Sequence, residues 1–219
     1  MRTDLQPIRA QVLAVRIIPN VNEYMHEQFK LRPDQRSLGL ITSSIDDVGY
    51  TAIDEATKKA AVEVVYARSF YAGSAHASGP LSGEFIGILA AADPAEVKSG
   101  IEAAVDVIEN QANFWAANEE ASLAFYAQCI SRTGSYLSKV AGIPEGEPLA
   151  YLIAPPLEAM YSLDLALKAA EVRMAAFYGP PSETNFGGGL LTGSQSACAA
   201  ACAAFADGVL EVAGMPHKW

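Results

Sequence analysis

Two tandem α/β domains, each a mostly antiparallel sheet with helices packed on it, are predicted by three observations. The chain repeats itself, each copy reads in the element order β-α-β-α-β-β-α, and the apolar pattern switches between periods of two and near 3.6. Asp54, Ala56, Lys58, Ala60 and Val62 recur as Asp164, Ala166, Lys168, Ala170 and Val172, always 110 positions on. Ile88, Leu89, Ala95 and Val107 recur as Leu190, Leu191, Ala197 and Val209, 102 positions on. The drop of 8 places a shorter loop between these blocks in the second copy. Internal repetition sets the architecture before any other reading. With 219 residues it divides the chain into a first domain, 1–112, and a second, 113–219.

The elements follow in order. Val12–Pro19 is dense in β-branched residues and reads as a strand ended by proline. Asn20 or Asn22 can cap a short helix reaching Leu31, which Arg32-Pro33-Asp34 breaks. Ser37–Thr42 is the second strand, and Ser43–Tyr50 is expected as a polar turn carrying Asp46 and Asp47. A helix opens at Thr51 or Asp54 and runs to Ala61; Val62–Ser69 alternates as a strand. Tyr71–Ser82 is a loop of small residues, Glu84–Ala90 a strand, and Asp93-Pro94 starts a helix to Asn110. The order then restarts. Leu123–Ser131 and Thr133–Ala141 repeat the first strand and helix, and Tyr136 and Pro144 answer Tyr24 and Arg32, 112 positions on. Leu149–Ile153, a helix over Ser162–Ala170 and a strand over Glu171–Tyr178 follow. Gly179–Gly189 is the second loop, Leu190–Gly193 a short strand, and Gln195–Ala213 the last helix.

Composition excludes several classes. The formal net charge is −10, opposite to what nucleic acid or an anionic membrane surface attracts. No apolar run is expected to reach the ~20 residues of a membrane span. The opening MRTDLQPIRAQ has no apolar leader core, and three cysteines make no disulfide framework, so a cytosolic setting is expected. Apolar residues are 51% of the chain and charged ones only 18%, more apolar surface than two small domains can hide alone. Oligomerisation is the expected outlet.

No catalytic constellation stands out. Gly187-Gly188-Gly189 has neither dinucleotide nor P-loop spacing. Cys198 and Cys202, four apart on an Ala-rich helix, could ligate a metal, but no further ligand pair has zinc-type spacing; they read as small core fillers, as does Cys129. His26 and His76 have no nucleophile placed beside them. No cofactor is called for. The carboxylates Asp46, Asp47, Glu84 and Glu158 sit at turns and strand ends, where binding groups gather. They suit a small cation or ammonium group, with Phe114 or Phe186 offering an aromatic face. A solvated acidic surface is the other reading. The two loops, Tyr71–Ser82 and Gly179–Gly189, interrupt the repeat at equivalent points and have the small residues that permit movement.

These stretches carry a resemblance. LGLITSSIDDVGYTAIDEATKKAAVEVVYARSFYAG, GEFIGILAAADPAEVKSGIEAAVDVIE, SRTGSYL, APPLEAMY, PPSETN and LTGSQSAC, over essentially the whole chain, resemble the ethanolamine-utilisation shell proteins of bacterial microcompartments, a tandem-domain, trimer-forming class. The resemblance implies two circularly permuted bacterial-microcompartment (BMC) domains and a structural role without catalysis. It implies a homotrimeric pseudohexamer, edge to edge with other shell proteins in the bacterial cytoplasm. It implies a gated central pore for larger solutes or cofactors. The gate loops would include Tyr71, Gly73, His76 and Gly79 in the first copy and Pro181, Ser182, Glu183, Gly187 and Gly188 in the second. Three narrow acidic channels would take ethanolamine through Asp46, Asp47, Glu84, Phe114, Glu158, Thr184, Asn185 and Phe186. Two rival readings are a soluble small-amine-binding sensor module and a small enzyme using the acidic residues as an acid/base pair.

Overall fold

The computed structural model describes residues 5–71 and 79–218. In chain order the first copy contains β1 (Pro7–Arg9), β2 (Val12–Ile18), α1 (Glu23–Gln28), β3 (Ser37–Ser43), α2 (Asp46–Lys59), β4 (Glu63–Ser69), β5 (Phe85–Ala91) and α3 (Pro94–Asp106). A single π-turn, Val107–Gln111, follows α3. The second copy contains β6 (Asn113–Ala116), β7 (Ala124–Ile130), α4 (Ser135–Ala141), β8 (Leu149–Ala154), α5 (Pro156–Ala169), β9 (Val172–Tyr178), β10 (Gly187–Gly193) and α6 (Gln195–Gly214). The repeat carries into the elements: α5 starts 110 positions after α2, and β10 starts 102 after β5.

Contacts divide the described chain into two units. The first holds residues 9–112 with 134–137; the second holds 5–8, 113–133 and 138–218. In the first unit the sheet runs β2-β3-β5-β4, with every pairing antiparallel. Successive side chains of a strand face opposite ways. Leu38 of β3 accordingly joins Leu31, Ile88 and Ala90 on one face, packed by Phe29 and Val65. Gly39 lies under α3, where a Cβ would stand 2.5 Å from Val97. Only a residue without a side chain lets that helix approach the strand so closely.

In the second unit the sheet runs β1-β6-β7-β8-β10-β9. Its core gathers Phe125, Leu152, Leu163, Leu191, Cys198, Cys202 and Phe205, under α5 and α6. Burial of a large apolar side chain such as Phe205 contributes about 2 kcal/mol. Cys198 and Cys202 are indeed packed inside this core. Helix α6 has 20 residues and a mean hydropathy of 1.5 over its most apolar window, so one segment does have the length and composition of a membrane span, contrary to the sequence expectation. Its Ala and Cys residues supply that hydropathy while Ala201, Phe205 and Val209 pack into the core, the position of an ordinary buried helix.

Four expectations are corrected. Ser43–Tyr50 is not a polar turn: α2 begins at Asp46, not at Thr51 or Asp54. Two acids in the first turn are favoured by the positive end of the helix dipole, which the turn reading overlooked. In the same way α5 begins at Pro156 rather than Ser162, with proline in its first turn, where its missing N–H costs nothing. Strand β10 begins at Gly187 rather than Leu190. The last helix of the first copy stops at Asp106 and finishes as the π-turn. Strands β1 and β6, of 3 and 4 residues, were not expected at all.

Ser162 of α5 has no solvent exposure, and among the described residues its Oγ is a buried side-chain atom without a hydrogen-bond partner. It faces Gly208 of α6, where a Cβ would stand 2.7 Å from that oxygen. The repeat places Ala52 at the equivalent site. Ser162→Ala is therefore expected to stabilise the protein by about 1 kcal/mol, because an unpaired buried hydroxyl is exchanged for a methyl. Thermal denaturation should read this as a rise of about 2–4 °C; a fall would mean that the hydroxyl has a partner.

Candidate ligand and pore sites

Asp46 and Asp47 open α2, and each is buried despite its charge. The Asp47 N–H donates to Asp46 Oδ1 at 2.9 Å. Ser69, the last residue of β4, bonds the Asp46 carboxylate, and its hydroxyl lies 2.8 Å from that of Tyr50. Burial pushes the Asp46 carboxyl upward, against the pull of these hydrogen bonds. Glu84 immediately precedes β5; its N–H donates to Ser43 O at 3.0 Å, and its own carbonyl accepts from Phe70. It follows Gly83, whose φ of +61° and closeness to Ser43 O leave no room for a side chain. Burial first, and the Asp46 charge second, raise the Glu84 carboxyl to about 6. One end of the first unit therefore holds carboxylates within electrostatic reach of each other, held half-dry. Such a group suits a cation that restores the lost solvation.

Tyr50 and Ser69 are functional neighbours that sequence reasoning missed. Tyr50 is four residues after Asp46, so both share a helix face once the helix is known to start at Asp46. Burial foremost, with the charges of Asp46 and Asp47, raises the Tyr50 hydroxyl, against the pull of the hydrogen bond that the Ser69 hydroxyl donates to its oxygen. The Tyr50 ring also meets Phe85 edge-on and lies parallel to Tyr136 at 6.0 Å.

Phe114, Glu158 and Thr184-Asn185-Phe186 belong to the second unit. Phe114 is buried, stacked on Tyr126 at 5.2 Å and edge-on to Phe186 at 6.0 Å. In the single chain its ring packs against both neighbours. Asn185 takes φ +67°, a conformation asparagine tolerates better than most residues. Its N–H donates to Ser182 O at 3.1 Å, while the Ser182 N–H donates to Phe186 O at 2.9 Å, closing a compact turn. Thr184 is buried within it, its hydroxyl 3.5 Å from that of Ser182. Glu158 stands partly buried in the first turn of α5.

Of the expected gate residues, Gly73 and His76 lie outside the described residues. Tyr71 is exposed, and Gly79 accepts the Ser82 hydroxyl at 2.7 Å. Pro181 and Glu183 are exposed in the second loop, and Ser182 ties it. Gly187 and Gly188 are not loop residues: they pair with Ala154 and Ile153 across the sheet. Among the described residues no three His, Cys, Asp or Glu side chains are grouped to hold a metal.

A glutamate raised to about 6 sets a sign for stability against pH. The folded state binds this proton more tightly than the unfolded chain does. The contribution of Glu84 is thus fully present below the ordinary carboxylate pKa and is lost as pH rises through about 6. Discounted for partial solvent exposure, the ionised group costs about 1 kcal/mol at neutral pH. Glu84→Gln is expected to raise stability at pH 7 by about that amount and to leave it unchanged near pH 4. Urea denaturation at the two values checks this; equal effects at both would refute the assignment.

Comparison with known proteins places these features. The BMC domain matches residues 37–118. The bacterial microcompartment shell protein EutL of Clostridium perfringens (strain 13 / Type A) is 62% identical over 216 residues, covering 99% of each chain. The EutL of Escherichia coli (strain K12) is 54% identical over 212 residues, covering 97% of each. The crystal structure of ethanolamine utilization protein EutL from Leptotrichia buccalis C-1013-b superposes with a TM-score of 0.96 at 64% identity, over 98% of this chain and 99% of that one. The doubled α/β architecture and this full-length similarity together establish that the chain belongs to the EutL family of bacterial microcompartment shell proteins.

Proposed function

We propose that the protein is a structural, non-catalytic tile of a shell enclosing ethanolamine metabolism in the bacterial cytoplasm, and that it admits small amines through acidic channels. The observation that carries the channel reading is the group Asp46, Asp47 and Glu84, half-dry carboxylates brought together at one end of the first unit. Ethanolamine is an ammonium with a hydroxyl. Carboxylates take the ammonium through charge-assisted hydrogen bonds, and a neutral donor or acceptor takes the hydroxyl. Phe114, Glu158, Thr184, Asn185 and Phe186 join the channel on the strength of family resemblance.

The tile is a closed homotrimer that meets other shell proteins at its edges. Exposed apolar side chains supply contact surface: Tyr24, Leu157 and Phe177 are 77%, 63% and 58% exposed in the single chain. The loop after β4 and the loop between β9 and β10 gate a central pore for larger solutes. Amine bound at the acidic group favours the closed gate, to the extent that it binds that state more tightly.

Titration calorimetry with ethanolamine, on wild type and Asp46→Ala/Glu84→Ala, tests this when paired with sedimentation of the same samples. A trimer whose affinity falls about tenfold or more in the variant is expected. A trimer that binds no amine would remove the channel reading, and a monomer would remove the tile.

A further inference from the structure

The duplication makes each unit a control for the other. In the first unit Arg32, in the loop after α1, reaches Glu63 at the start of β4. Its Nε also lies 3.2 Å from Asp34, and Gln35 Nε2 donates to Glu63 at 2.8 Å. The equivalent places in the second unit lie 112 positions on for the loop and 110 on for the strand. They hold Pro144, Gly146, Glu147 and Arg173. Register confirms the match: Glu63 pairs with Ala90 in β5, and Arg173 pairs with Thr192, 102 positions after Ala90, in β10.

The substitutions are systematic. The cation that fills the place in the first unit is deleted, its carboxylate partner becomes a cation, and the neutral amide becomes a carboxylate. An open cavity of about 570 Å³ results, lined by Pro144, Glu147, Glu171, Arg173 and Thr192 among others. The Arg173 guanidinium and the carboxylates of Glu147 and Glu171 have no ion-pair or hydrogen-bond partner among the described residues. The walls are nevertheless held. Glu147 O accepts from Thr133 N and Oγ1 at 3.1 and 2.9 Å, and the Thr192 hydroxyl donates to Pro148 O at 2.8 Å.

We propose that this cavity binds a small zwitterion of the amino-acid type, its carboxylate on Arg173 and its ammonium on Glu147 and Glu171. A simple anion would meet two carboxylates, and a simple amine would meet the guanidinium; a ligand carrying both charges satisfies all three groups. The planar guanidinium suits a carboxylate held by two parallel hydrogen bonds. Because the cavity is open, screening keeps the affinity modest, in the millimolar range. The site is independent of the amine group at Asp46 and Glu84, which belongs to the other unit.

The test is calorimetric titration of L-serine, acetate and methylamine into the full-length protein in its native assembly, and into Arg173→Gln and Glu147→Gln. All the substituted side chains are exposed, and circular dichroism confirms that the variants fold. L-Serine is expected to bind about tenfold more tightly than acetate or methylamine, and to lose about tenfold in affinity in Arg173→Gln and severalfold in Glu147→Gln. Failure of L-serine to bind, binding untouched by Arg173→Gln, or acetate binding as well as L-serine would each overturn the proposal.

Discussion

Asp54→Ala is expected to cost about 3 kcal/mol of stability, lowering the melting temperature by about 10 °C. Asp54 lies in the middle of α2 and is 1% exposed, a poor place for a charge unless it is engaged. Its Oδ2 accepts the Gly134 N–H at 2.7 Å and its Oδ1 the Leu137 N–H at 2.8 Å. One turn on, Thr57 Oγ1 accepts the Ser135 N–H at 3.0 Å. These donors open α4, whose first N–H groups have no carbonyl a turn earlier to bond. A carboxylate from another helix thus does the work of a capping side chain and fixes residues 134–137 within the first unit. Alanine strands two buried N–H groups, each worth about 1–3 kcal/mol. Asparagine rescues only one of them, since its NH₂ turns a donor toward a donor. Thr57→Val, which loses a single acceptor, should cost about 1 kcal/mol. Acid should not mimic the substitution. Burial raises the Asp54 carboxyl above its ordinary value despite its N–H donors and Lys58. Its contribution is therefore present at low pH and falls as pH rises through the folded value. Denaturant titrations of the three variants settle the matter; a cost for Asp54→Ala no larger than for Thr57→Val would show that the tie is incidental.

Nothing local in the sequence announces that tie, because its partners are about eighty positions apart and joined only by the fold. Local pattern did carry the rest of the architecture. Density of β-branched residues located β2, period-two alternation located β4, and the 112, 110 and 102 spacings carried the elements into the second copy, β9 among them. The failures came where a residue type has two meanings. Asp46-Asp47 reads as a turn, yet acids also favour a helix N-terminus, and the apolar Ile45 in the cap position gave no side-chain signal for the start. Three glycines in a row read as a loop, yet they also permit tight strand approach. Strands β1 and β6 are too short to show alternation. Within the site, the carboxylates were visible as residue types, whereas the Ser69–Tyr50 bridge depended on the misread helix start and on a strand end that only the sheet brings near. Phe114 was recognised as aromatic, but its burial follows from Tyr126 in β7, a neighbour that no spacing rule supplies.

Gly188→Ala is expected to be among the most damaging single-methyl additions available to this chain, costing about 3 kcal/mol or more. In β10, a Cβ at Gly188 would stand 1.9 Å from Leu152 O of β8, a backbone atom that cannot step aside without breaking the pairing. At Gly189 the corresponding Cβ would stand 2.7 Å from Ala176 O of β9, so the clashes fall on both flanking strands. The first copy has Phe85-Ile86-Gly87 at the matching positions, and there Phe85 and Ile86 are ordinary strand residues. The glycine run is therefore a property of this strand in the second unit and not of the repeat as such. Gly142→Ala provides the control. Gly142 has φ +62° but open space around its missing Cβ, so it should lose only about 1 kcal/mol through backbone strain. Comparing the two by chemical denaturation separates steric exclusion from conformational preference. Equal costs would mean that β8 and β10 can part by a few tenths of an ångström without loss. A much larger cost at Gly188 would show that the strand entering from the second loop is anchored by backbone contact at its first residues, leaving movement of that loop to residues 179–186 alone.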